Sequence, residues 1–258
     1  LKKIKSISKT AETIMIVGAG YVGLPLGLAF LRGECEVVLV DSNKEKIDKI
    51  NRCFSPVDTV LDQDLKKFVE KKQLKAVHTD DKLLLEIMVA SSNAIIICVP
   101  TPLSKNHEPD LSYIRSAINM IMEFNLTKKI IVLESTTFPT TTQKLIIGPL
   151  KKLGYSVGEN IFVGYSPERE DPGNTQFKTS NIPKIFAGST GACSSKIKNL
   201  YEKAITLLIE VSDIETAEMT KLLENTYRAV NIGLVNELKV LAHKLDINIF
   251  EVIKAAST

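Results

Sequence analysis

A short apolar run, Ile14-Met15-Ile16-Val17, passes directly into Gly18-Ala19-Gly20-Tyr21-Val22-Gly23, and an amphipathic stretch follows. The three glycines answer three physical needs. Gly18 permits a tight turn, Gly20 lets a pyrophosphate approach the backbone, and Gly23 lets a helix pack on the strand before it. The motif has force only between a strand and a helix, and here both are present. A second apolar run, at 36–40, ends at Asp41, which lies 41 − 23 = 18 residues past the last glycine. An acid at that place accepts hydrogen bonds from adenosine ribose hydroxyls and repels a 2′-phosphate, so NAD is expected rather than NADP. Amides at the helix start, those of Tyr21 and Val22, are expected to bind the phosphates. A flavin in place of NAD, or a glycine turn holding no ligand, are the alternatives.

The same alternation continues along the chain. Apolar runs at 76–78, 94–98, 129–133, 161–163, 184–187 and 207–211 predict strands. Amphipathic stretches at 21–32, 43–51, 61–72, 82–90, 111–124, 141–153 and 193–204 predict helices, with Asp110 as an N-cap. Strands apolar on both faces and alternating with helices mean a sheet covered on both sides. The expected fold class is α/β, a doubly wound, mostly parallel Rossmann-type sheet followed by a long α-helix that opens a helical central domain. Residues 214–245 contain no proline and one glycine, Gly233. Apolar residues recur there at Met219, Leu222, Leu223, Tyr227, Val230, Leu234, Leu238, Leu241 and Leu245, mostly three or four apart. One helix of that length spans about 45 Å; two helices meeting at Gly233 are the alternative. Such a helix is expected to leave the sheet domain and join another domain or subunit. The expected division is a dinucleotide-binding domain at 1–211 and the start of a helical domain at 212–258.

Charge and cysteine usage exclude other classes. With 33 Lys+Arg against 30 Asp+Glu, the net charge of +3 is too small for a nucleic-acid binder. The longest apolar run, 94–99, is far below the roughly 20 residues that span a bilayer, so no membrane partner is expected. Cys35, Cys53, Cys98 and Cys193 are scattered without a CxxC or Cys/His cluster. No metal site or disulfide scaffold is expected, and free thiols fit a reducing, cytoplasmic location. The basic start, Leu1-Lys2-Lys3-Ile4-Lys5, lacks the apolar region of a secretory signal and reads as a solvated tail with a trimmed beginning.

Four further segments carry polar groups to the expected carboxyl ends of strands, where doubly wound sheets bind ligands. In Cys98-Val99-Pro100-Thr101-Pro102 the prolines fix the loop and withdraw amide donors. That leaves the Thr101 hydroxyl to a ligand, or simply makes a rigid turn. Glu134-Ser135-Thr136-Thr137-Phe138-Pro139 places hydroxyls at the same edge, with helix capping an equal reading of each. Glu168 follows a strand end in a loop bracketed by Pro167 and Pro172, as a positioned acid or base or as part of a solvated loop. Glu218, Lys221 and Asn225 share one helix face, as a polar site or an exposed stripe.

Taken in order, GAGYVGLPL, CVPTPL, ESTTFPTTT, YSPEREDPGN and AEMTKLLENTYRAVNIGLVNELK resemble the UDP-glucose/GDP-mannose dehydrogenase family over residues 13–258. The last two motifs are specific, because other dinucleotide folds do not carry them. The SPEREDPGN form is most similar to the UDP-N-acetylglucosamine 6-dehydrogenase branch, with the UDP-N-acetylmannosamine branch as rival. The resemblance implies NAD-dependent oxidation of the C6 hydroxyl of a UDP-N-acetylhexosamine to a UDP-uronic acid for surface polysaccharide. In such enzymes a first hydride transfer gives an aldehyde, a cysteine thiolate adds to it, a second hydride leaves, and the thioester is hydrolysed. The implied fold adds a C-terminal UDP domain and a dimer interface along the long helix.

Residue by residue, the resemblance implies Gly18, Gly20, Gly23, Asp41 and Lys46 as NAD positions, with Pro100 and Thr101 in the loop beside the cofactor. It implies Thr136 as the hydroxyl near the nicotinamide and the sugar C6, and Glu168 as the acid that handles protons and water in thioester hydrolysis. Lys221 matches a lysine that stabilises the oxyanion on C6, Asn225 an amide holding the same region, and Arg169 a substrate contact. Two departures stand out. After Pro139 the family pattern has glycine, where this chain has Thr140. The family's nucleophilic cysteine sits in a glycine-rich segment after the central helices, and none of the four cysteines here matches it. The chain is therefore expected to be an N-terminal part that is inactive alone. UDP-glucose as substrate, or a non-catalytic NAD-binding module, are the alternatives; 6-phosphogluconate-like dehydrogenases lack the SPER loop.

Overall fold

The computed structural model describes residues 11–106, 108–168 and 182–258. Eight strands form one sheet: β1 (Thr13–Val17), β2 (Glu36–Asp41), β3 (Leu74–His78), β4 (Ala94–Ile97), β5 (Ile130–Leu133), β6 (Phe162–Tyr165), β7 (Lys184–Gly188) and β8 (Leu208–Glu210). Their spatial order is β3-β2-β1-β4-β5-β6-β7-β8. Every pairing is parallel except β6 with β7. The order turns at β1, whose neighbours are β2 and β4, and this is where a doubly wound sheet opens its crevice. Val17 pairs with Val40 on one side and Ile97 on the other, so Gly18, Asp41 and Cys98 lie at one level at the carboxyl end of the sheet.

The central strands β1, β2, β4 and β5 are apolar along nearly their whole length because both faces are covered. Successive side chains point to opposite faces. Ile14, Ile16, Val37 and Leu39 enter one core with α1 (Gly23–Arg32) and α7 (Gly191–Tyr201). Met15, Val17, Val38 and Val40 enter the other with α4 (Lys82–Ser91) and α5 (Ser112–Met122). The edge at β3 carries α2 (Lys44–Asn51) and α3 (Asp62–Glu70).

Two expected details differ. Residues 141–153 are not one α-helix: a π-helical turn, Gln143–Ile147, precedes the short α6 (Gly148–Lys152). Pro149 has no N–H to return to residue 145, and its ring crowds that carbonyl, so the turn ahead widens. Asp110 is not the N-cap of α5; Leu111 holds that place without a side-chain bond, and Asp110 accepts from the Ser112 amide at 2.9 Å.

The long helix is unbroken. α8 (Ile214–Lys244) starts at Asp213, whose carboxylate accepts from the Thr216 amide at 2.7 Å, and it passes through Gly233 without interruption. Only its first turns are held by the sheet domain: Ile214, Ala217, Glu218 and Lys221 are buried, and Ala242 is the one other buried residue. A turn at Asp246 leads to α9 (Ile249–Ala256), which has no buried residue. Among the described residues no helix is long and apolar enough to cross a membrane.

Candidate active site

The glycine turn is built as the motif demands. Gly18 sits at φ +108°, a region that L side chains rarely enter, and a Cβ there would collide with the Cys98 carbonyl. A Cβ on Gly23 would strike the Gly18 carbonyl, whereas at Gly20 it would meet nothing within 4 Å. The open space lies where a ligand would approach. Val22, at the N-cap of α1, offers no side-chain cap. Among the described residues no hydrogen bond uses the amides of Gly20, Tyr21 or Val22. Donors and room for a phosphate are both in place, so these residues fit a dinucleotide.

Asp41 ends β2 beside this turn. Its Oδ2 accepts from the Ala19 amide and its Oδ1 from the Asn43 amide, both at 2.8 Å. Lys46 Nζ lies 3.7 Å from Oδ2. One bond per oxygen leaves acceptor capacity for ribose hydroxyls. Asp41 thus braces the turn as well as facing the crevice, a task that motif spacing does not reveal.

Across the crevice the loops after β4, β5 and β6 run side by side. Pro100 is exposed and Thr101 half-buried. Ser135 donates to the Val99 carbonyl at 2.7 Å, fastening one loop to the next. Thr136 follows, half-buried, its hydroxyl in no hydrogen bond among the described residues. Leu133 pairs with Tyr165, and Thr136 and Glu168 each lie three residues beyond that pair. Thr140 adopts φ +78°. That conformation favours glycine, the residue of the family pattern at this place.

Lys221 on α8 reaches this edge. Its Nζ donates to the Glu168 carbonyl at 2.5 Å and lies 3.5 Å from Glu168 Oε2. Glu218, one turn earlier, is fully buried, and its Oε1 accepts from both the amide (2.9 Å) and the hydroxyl (2.8 Å) of Thr142. Burial holds its pKa above the ordinary carboxylate value, against the hydrogen bonds from Thr142. Glu218 and Lys221 are therefore brought into the site region. Asn225, one turn further along the same helix, is exposed and makes no hydrogen bond among the described residues. Arg169 lies outside the described residues.

One cluster escaped the motif reading. Glu134, 1% exposed, receives Lys184 Nζ at 2.9 Å and the Tyr201 hydroxyl. Burial, then the charge of Glu134, pushes the Cys98 thiol well up, the reverse of what a nucleophile needs. The sequence holds one hint, a carboxylate directly at the end of an apolar strand.

A parallel sheet with its crevice at the β1/β4 turn, a glycine turn with uncommitted amides and an acid on β2 define a dinucleotide-binding α/β protein. Residues 12–205 match the NAD binding domain, and residues 215–258 the central domain, of the UDP-glucose/GDP-mannose dehydrogenase family. The chain belongs to that family, and the cofactor of its sheet domain is NAD. It is 34% identical over 246 residues to a UDP-N-acetyl-D-mannosamine dehydrogenase of Pyrococcus horikoshii, covering 95% of this chain and 57% of that protein. It is 33% identical over 247 residues to a UDP-N-acetyl-D-glucosamine 6-dehydrogenase of Pseudomonas aeruginosa, covering 95% and 56%. The solved UDP-N-acetyl-mannosamine dehydrogenase of Staphylococcus aureus superposes with a TM-score of 0.84 at 32% identity, over 95% of this chain and 58% of that one. The chain thus spans rather more than half the length of these relatives.

Proposed function

We propose that this chain is the NAD-binding and acid/base-bearing part of a UDP-N-acetylhexosamine 6-dehydrogenase, with UDP-N-acetylglucosamine the favoured substrate. The observation that carries the reading is the contact of Lys221 with Glu168, 53 residues apart, at the edge where Thr136 emerges. A dinucleotide module without a reaction has no use for a buried ammonium held against a carboxylate there. Residues 1–211 form the cofactor domain and 212–258 open the helical domain that pairs two copies in the cytoplasm.

The roles follow from chemistry at the C6 hydroxyl. When bound, NAD accepts hydride from C6. The Gly20, Tyr21 and Val22 amides hold its pyrophosphate, and Asp41, with Lys46 beside it, holds the adenosine ribose. Thr136 hydrogen-bonds the C6 oxygen. Glu168 takes its proton, directly or through water. Lys221 meets the negative charge that grows on that oxygen in the transition state. Asn225 and Arg169 contact the substrate once it is in place. No cysteine of these 258 residues serves as the nucleophile: Cys35, Cys98 and Cys193 are buried, and Cys53 lies beyond α2.

Isothermal titration with NADH tests the first claim. Binding in preference to NADPH is expected, and no heat at millimolar cofactor sinks it. This chain alone is expected to make no UDP-uronic acid. For the catalytic roles, residues 1–258 are joined to the remaining part of the Pseudomonas aeruginosa relative and NADH formation is followed. Lys221→Met is expected to lower kcat about 10²–10³-fold; an unchanged kcat removes Lys221 from the reaction.

A further inference from the structure

The Glu134–Lys184–Tyr201 cluster sits behind the loops of the site. Glu134 is the first residue after β5 and lies two residues before Thr136. Its two oxygens are divided, Oε2 to Lys184 and Oε1 to Tyr201. Lys184 Nζ also stands 5.1 Å from the centre of the Tyr201 ring, closing a triangle of three buried side chains. Lys184 opens β7, the strand antiparallel to β6. One residue on, the Ile185 carbonyl accepts from the Ser166 hydroxyl at 2.7 Å. These two bonds fix Ser166, two residues before Glu168, and the start of β7 to the end of β5. On the other side the Glu134 amide donates to Ile97 at 2.9 Å, and Ser135 donates to Val99. The Glu134 carboxylate thus joins the end of β5 to β7 and α7, and the bonds beside it add the ends of β4 and β6.

A buried ion pair is a poor way to gain stability, because apolar side chains of similar size serve as well or better. A fully satisfied polar network does what apolar packing does not: it admits one arrangement of its parts. The parts here are the loops on the β4–β6 side. With pyrophosphate at Gly18–Gly23 and adenosine toward Asp41, the remaining half of a dinucleotide must cross those loops.

We propose that Glu134 is a positioning residue: with Lys184 and Tyr201 it sets the loops carrying Thr101, Thr136 and Glu168 against the nicotinamide half of bound NAD. The proposal rests on the dinucleotide reading above. It separates the two halves of the cofactor, so NADH and ADP-ribose, which lacks the nicotinamide, are the probes, titrated into the 258-residue chain. In Glu134→Gln, NADH affinity is expected to fall about tenfold, or ~1.4 kcal/mol, while ADP-ribose affinity stays within about twofold. Tyr201→Phe removes one arm without touching the charge pair and is expected to weaken NADH alone, by about threefold. If Glu134→Gln does not fold, Tyr201→Phe decides. Unchanged NADH affinity, or equal loss of both ligands, overturns the proposal and leaves the cluster a structural one. A parent chain that binds neither ligand overturns the dinucleotide reading itself.

Discussion

The three glycines of the turn have different duties, and alanine at each separates folding from binding. At Gly20 a Cβ meets no protein atom within 4 Å, so Gly20→Ala is expected to change stability by no more than about 0.5 kcal/mol. The same methyl enters the space a pyrophosphate needs, so NADH affinity is expected to fall about tenfold or more in titration. Gly18→Ala forces an L residue to φ +108° and drives its Cβ into the Cys98 carbonyl. It is expected to cost about 3 kcal/mol or more in denaturant unfolding. Equal stability losses in the two variants would contradict this division. Thr140 is the converse case, an L residue at φ +78°. Thr140→Gly is expected to raise stability by about 1 kcal/mol, the left-handed strain less the extra freedom glycine gives the unfolded chain.

At the scale of elements, α8 is docked by Glu218 on Thr142 and by Lys221 on Glu168. Glu218 Oε2 is buried with no partner among the described residues. Burial raises the folded pKa above the unfolded one, so the native chain keeps a proton that the unfolded chain loses between the two values. The stability this group contributes is full below the ordinary carboxylate pKa and is lost as pH rises through the raised one. Glu218→Gln keeps an acceptor for Thr142 and cannot ionise. Its melting temperature is expected to exceed that of the parent at pH 7, and the gap is expected to close toward pH 4; parallel curves would refute the assignment. The elements were largely legible in the sequence, because β1, β2, β4 and β5 are buried on both faces and leave unbroken apolar runs. The π-helical turn was not, since it depends on how Pro149 disturbs the residues before it. Of the candidate site, the glycine turn and Asp41 were readable from local spacing, and the meeting of Glu168 with Lys221 only from the resemblance. The Glu134 cluster could not be read, because its partners lie 50 and 67 residues away and only the fold brings them together.

The whole molecule is lopsided. A closed α/β body with two apolar cores ends where α8 leaves it, and beyond Lys221 the helix has almost no cover. Leu223, Tyr227, Val230, Leu234, Leu238 and Leu241 repeat at helical spacing, and every one is exposed. Phe250, Val252 and Ile253 on α9 are exposed as well. A contiguous apolar face of this length is larger than a monomer ordinarily leaves in water. Hydrophobic cover from a second copy of the same face satisfies it with closed two-fold symmetry and needs no other partner. The chain is therefore expected to sediment as a dimer at micromolar concentration. Placing two carboxylates in the middle of the stripe, Leu234→Glu with Leu238→Glu, desolvates charge at every contact and is expected to give monomers. These positions lie far along α8 from the glycine turn, so NADH affinity is expected to stay at the parent value. A variant that remains dimeric shows that another surface joins the copies. A monomeric variant with weakened NADH binding shows that the interface reaches back to the crevice, and the two halves of the molecule are then one functional unit.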